Sequence, residues 1–80
     1  MGFKPPRSIS WRDAEKAVIA LGAVFKRQTG SHKHYVIARR GKKGVVTIPL
    51  SNDINGDLLQ SIIRQTGVRK KDFWKAYSGK

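Results

Sequence analysis

The sequence predicts an α+β domain of order α-β-β-β-α: a three-stranded antiparallel sheet, helices on one of its faces, and a short C-terminal helix. Three observations predict it. Apolar residues recur at helical spacing towards both ends of the chain, first Trp11, Ala14, Val18 and Leu21, then Leu58, Leu59, Ile62 and Ile63. Between these stripes lie three runs with extended-structure preference, 23–28, 32–39 and 45–48. Short glycine-containing segments separate the runs, as an antiparallel meander requires. Each helix has one apolar stripe and the sheet must bury one side, so the helices belong together on one face.

Taken in order, residues 1–9 contain Pro5-Pro6 and read as an extended lead-in. Ser10-Trp11-Arg12-Asp13 has the form of a capping box, with Ser10 as N-cap, and opens a helix over 11–21. Gly22 is placed to end it in the left-handed conformation. Thr29-Gly30-Ser31 is a turn between the first two strands. Alternation along the second strand puts His32, His34, Val36 and Ala38 on one face and Lys33, Tyr35, Ile37 and Arg39 on the other. Arg40-Gly41-Lys42-Lys43-Gly44 reads as a basic turn, Val45–Ile48 as the third strand closed by Pro49, and 50–55 as a polar loop. Asp57–Thr66 reads as the second helix, with Leu58, Leu59, Ile62 and Ile63 on its buried face and Gly67 at its end. Val68–Lys71 leads into the short terminal helix, whose Phe73, Trp74 and Tyr77 read first as core; Trp74 and Tyr77 are also candidate base-stacking surfaces. Residues 78–80 read as a frayed tail, and with no repeat or linker the whole of 1–80 is expected to form a single domain.

Composition narrows the chemistry. The absence of cysteine removes disulfides, thiolate metal sites and thiol nucleophiles together, and suits a reducing, cytoplasmic setting. Lys and Arg number 17 against five Asp and Glu, a net charge of +12, which implies an anionic partner. The basic residues are spread along the chain, which favours a charged folded surface over a disordered arm. No apolar run approaches the length of a membrane span, the first residues lack a signal-peptide core, and no membrane partner is expected.

The candidate site is the turn that delivers His32, and with it His34, to one side of the sheet, among Lys26, Arg27, Lys33, Arg39, Lys42 and Lys43. Imidazole, with an unperturbed pKa of about 6.5, exchanges protons near neutral pH. Beside cations it suits proton transfer next to a phosphate. Metal-free RNA cleavage needs few parts: a base to take the 2′-hydroxyl proton, an acid for the departing 5′-oxygen, and cations for the charge on phosphorus. His34 stands about 7 Å along the strand from His32 and is a candidate second proton carrier. His32-x-His34 offers two imidazoles without an evident third ligand, so no metal or other cofactor is expected. Gly41-Lys42-Lys43-Gly44 lacks the P-loop pattern, and Ser31, His32 and Asp53 lack a nucleophile elbow. An α-β-β-β-α domain of this charge looks like a double-stranded-RNA-binding domain.

The run Gly22-Ala23-Val24-Phe25-Lys26-Arg27-Gln28-Thr29-Gly30-Ser31-His32, followed by His34-Tyr35, resembles the HicA toxin family. So do Val46-Thr47-Ile48-Pro49 and the stretch from Gly56-Asp57-Leu58-Leu59 to Thr66-Gly67, and the likeness spans roughly 10–77. The resemblance implies a small mRNA interferase of a type II toxin–antitoxin system, with a double-stranded-RNA-binding-like fold, neutralised by a HicB antitoxin. It implies His32, in the Gly-Ser-His motif, as catalytic, with Gly30 and Ser31 shaping its turn. Two positions depart from the family pattern: Thr29 stands where Lys is frequent, and Ser51 where His is frequent. The first expectation is therefore a histidine-dependent, metal-independent endoribonuclease acting on mRNA. The alternative is a non-catalytic double-stranded-RNA-binding-like module, and a third reading is a basic subunit that only docks to an acidic protein.

Overall fold

A computed structural model describes residues 4–39 and 41–79. Its elements run β1 (Ser8–Ile9), α1 (Trp11–Ala20), β2 (Val24–Thr29), β3 (His32–Arg39), β4 (Lys42–Pro49), β5 (Ile54–Asn55), α2 (Gly56–Thr66) and α3 (Lys70–Ser78). The main sheet has the antiparallel order β2-β3-β4, and the predicted α-β-β-β-α arrangement is present with the extra C-terminal helix.

Local chemistry sets the helix boundaries. The Ser10 hydroxyl accepts from the Asp13 amide at 3.2 Å, satisfying one orphan donor at the start of α1. At its other end Gly22 takes φ +103°, and the Gly22 and Ala23 amides donate to Ile19 and Val18, a Schellman closure. Gly67, at φ +76°, ends α2 in the same left-handed way.

One face of the sheet makes the core. Tyr35 and Ile37 of β3 and Val46 and Ile48 of β4 are buried with Ala14, Ala17 and Val18 of α1, Leu59, Ile62 and Ile63 of α2, and Phe73 and Trp74 of α3. Each such large apolar side chain contributes about 1.5–3 kcal/mol on burial. Trp74 and Phe73 are thus core, as the first reading of that cluster expected. The opposite face is open. There Val24, Val36 and Val45 stand directly opposite one another across the three strands, with Val24 67% and Val45 53% exposed.

Three expectations are corrected. The predicted basic turn is mostly strand: Lys42 and Lys43 belong to β4, paired with Arg39 and Ala38, because the antiparallel ladder continues almost to the hairpin tip. Arg40 lies outside the described residues. The lead-in and the polar loop meet as the two-stranded ladder β1–β5, where Ile9 and Ile54 are buried opposite each other. Leu58 is 44% exposed; the buried stripe of α2 is Leu59, Ile62, Ile63 and Thr66, a cleaner helical period. At the C-terminal end α3 continues through Ser78, while Lys80 lies outside the described residues.

Candidate active site

The β2–β3 connection is a two-residue turn, Gly30–Ser31, closed by the pair Thr29–His32. Gly30 takes φ +58°, a conformation glycine adopts without steric cost. The turn is held from two sides: the Gln28 side chain donates from Nε2 to the Gly30 carbonyl at 3.0 Å, and the Leu50 backbone amide donates to the Ser31 carbonyl at 2.8 Å. His32 is exposed at the end of β3, flanked by Thr29 on β2 and Pro49 on β4.

Register fixes its neighbours. Directly opposed residues share a face, so the open face carries the rows Thr29–His32–Pro49, Arg27–His34–Thr47 and Val24–Val36–Val45. His34 is half-buried, and its Nδ1 lies 3.1 Å from the Thr47 hydroxyl, which can serve either tautomer as donor or acceptor. Directly opposed positions are about 5 Å apart and diagonal ones about 7–8 Å, so Arg27 is beside His34 and within a long side chain's reach of His32. Lys26 sits exposed at the irregularity between Phe25 and Arg27, and Lys43 stands further along the open face, opposite Ala38.

Lys33 points the other way. It forms an ion pair with Glu15 of α1, Nζ to Oε2, at 2.6 Å. Its ammonium lies 4.8 Å from the Trp11 ring centre, 5.2 Å from Phe25 and 6.0 Å from Tyr35. The Tyr35 hydroxyl donates to the same Glu15 oxygen. Burial pushes the Glu15 carboxyl up, but the hydrogen bonds from Lys33 and Tyr35 and the lysine charge outweigh it and hold the carboxyl below its usual value. Burial, the bond to Glu15 and its negative charge raise the Tyr35 phenol well above its usual value. Lys33 is therefore a structural cation on the helix side, away from the histidines. Arg39 and Lys42 are opposite each other at the far end of β3, about 23 Å from His32 at the normal strand rise.

Of the residues singled out from sequence, the fold thus gathers Arg27, His32 and His34 on one face around the Gly30–Ser31 turn. Thr47 was missed as the partner of His34, although the alternation of β4 contains that signal. Ser51 is occupied with the loop: its hydroxyl accepts from the Asp53 amide at 3.1 Å and its carbonyl from the Trp11 amide at 2.8 Å. Among the described residues no three His, Cys, Asp or Glu side chains come together as a metal-holding group, and no helix is long and apolar enough to cross a membrane.

Comparison with curated proteins and with solved structures gave no match. A family model described as the HicA toxin of bacterial toxin-antitoxin matches residues 11–68, well over half of the chain, and covers α1, the whole sheet with its Gly30–Ser31–His32 turn, and α2. The chain belongs to the HicA toxin family, and is the toxin component of a toxin–antitoxin system.

Proposed function

We propose that the chain is an mRNA interferase, a metal-independent endoribonuclease whose chemistry centres on His32. The observation that carries this reading is the placement of an exposed imidazole at a braced turn, on a sheet face that also holds His34 and Arg27. His32 takes the proton from a ribose 2′-hydroxyl, or gives one to the departing 5′-oxygen. The 2′-oxygen bonds to phosphorus as the bond to the 5′-oxygen breaks, leaving a 2′,3′-cyclic phosphate and a 5′-hydroxyl. His34, steadied by Thr47, is placed for the complementary proton transfer. Arg27 offsets charge on the pentacoordinate phosphorus. The chain acts in the cytoplasm, where mRNA is available, and a HicB-type antitoxin silences it by presenting carboxylates to these cations and covering His32.

Purified protein and its His32→Ala variant, incubated with single-stranded RNA in the presence of chelator, test this directly. Cleavage by the parent alone, with 2′,3′-cyclic phosphate ends, is the expected result. Equal cleavage by both proteins would remove His32 from the mechanism. Salt-dependent RNA binding without cleavage by either would replace the enzyme with a binding module.

A further inference from the structure

The end of the sheet remote from His32 contains a cavity of about 700 Å³ between the β3–β4 hairpin and the α2–α3 junction. Arg39, Lys42 and Lys43 line it from the hairpin, and Arg69 lines it from the start of α3. Asp72 is the sole carboxylate among the lining residues, and it is engaged with Arg69, Nε to Oδ2 at 3.1 Å, which fixes the guanidinium at the rim. Arg39, Lys42 and Arg69 therefore bring three cations to a concavity whose one acidic group is paired with Arg69, while the Lys43 side chain stands on the opposite, open face. Backbone adds to them. The Thr47 amide points off the free edge of β4 to the Gln65 side chain, at 2.9 Å. The two-residue alternation turns the Lys43 amide towards the same edge, where Lys43 borders the cavity.

We infer that this cavity is a second, non-catalytic anchoring site that holds RNA backbone phosphates several nucleotides from the bond that is cut. The inference rests on the reading that the chain acts on RNA. The site lies about 23 Å from His32 along β3, too far to touch the reacting phosphate. Arginine forks, the Lys42 ammonium and an outward amide together suit phosphate oxygens, and a strand held there reaches the histidine face by crossing the free edge of β4. The site sets where the strand lies and how tightly it is held, not how fast it is cut.

The test uses the full chain with His32→Ala, expected on that reading to bind RNA without cutting it, and a labelled single-stranded RNA titrated at several salt concentrations. Each phosphate contact on a single strand contributes about 0.7 to the slope of log K against log salt, or about fivefold in affinity at 0.1 M salt. Adding Lys42→Ala and Arg69→Ala is therefore expected to lower the slope by about 1.4 and the affinity by about 25-fold. A control pair of equal charge change, Lys4→Ala with Lys16→Ala, is expected to do much less. With His32 intact, the cavity pair is expected to raise KM and leave kcat near the parental value. Equal effects of the two pairs would overturn the inference while leaving the RNA reading in place, as would loss of binding to a polyglutamate peptide with RNA binding unchanged. No RNA binding by the His32→Ala protein at any salt would overturn both. Because Arg39, Lys42 and Arg69 are exposed, the substitutions leave the core untouched.

Discussion

Replacing Glu15 with alanine is expected to destabilise the domain more than its position on a partly exposed helix suggests. The carboxylate holds two groups at once, the Lys33 ammonium at 2.6 Å and the Tyr35 hydroxyl. Tyr35 is fully buried, so its hydroxyl is left without this acceptor. A stranded buried donor costs about 1–3 kcal/mol, whereas the lost ion pair, with side chains still 17% and 24% exposed, adds about 1 kcal/mol or less. The sum is about 1–4 kcal/mol, or roughly 4–30 °C in melting temperature for a domain of this size. Thermal unfolding followed by circular dichroism measures it. Tyr35→Phe supplies the internal check: it removes the stranded hydroxyl, so the double variant should be less damaged than the sum of the single changes. The pH dependence has a fixed sign. The Glu15 carboxyl is held below its usual value when folded, so its contribution is present above the unfolded pKa of about 4.3 and fades as the solution is acidified through the folded value. The difference between parent and variant should accordingly shrink in acid. Tyr35, whose phenol is raised, contributes stability that is complete below about pH 10 and is lost as pH climbs towards the folded value. Strictly additive effects of Glu15→Ala and Tyr35→Phe, or a melting point within a degree or two of the parent, would refute the shared-acceptor argument.

Thr47→Val removes the hydroxyl beside His34 without changing side-chain shape much; cleavage should fall while thermal unfolding changes little. Gly30→Ala meets no atom within 4 Å, so its cost comes from the φ of +58° alone, about 1 kcal/mol in stability, with a larger proportional loss of RNA cleavage because the turn carries His32. Ile62→Ala empties a fully buried position of α2 and should cost about 2–5 kcal/mol in denaturant titration, with the midpoint falling and the slope unchanged.

The parts of the fold legible in the sequence are those determined locally. Helical spacing and the Ser10 cap give α1, and glycines at 22, 30 and 67 sit where left-handed backbone ends a helix or turns a strand. The start of β4 was not legible, because Lys42 and Lys43 resemble turn residues and become strand only through pairing with β3. β1 and β5 have two residues each, too few to show alternation, and exist because Ile9 and Ile54 bury each other's flank of the core. At the site, strand parity alone placed His32 and His34 on one face. Parity also put Lys33 on the other, but its capture by Glu15 joins residues 18 positions apart on different elements, which no local pattern encodes.

The row of valines across the open sheet face carries a consequence for handling the free protein. Val24, Val36 and Val45 form an apolar band on a surface whose edge strand β2 is exposed throughout, the kind of surface through which identical molecules adhere. What opposes adhesion is mutual repulsion from a net charge of +12. Concentrated salt, the usual means of stripping nucleic acid from a basic protein, shortens the range of that repulsion to about 3 Å at 1 M and strengthens apolar contact when the anion is sulfate. Colloidal stability should therefore run opposite to the common pattern for sticky basic proteins: turbidity rises with added sulfate and clears on dilution.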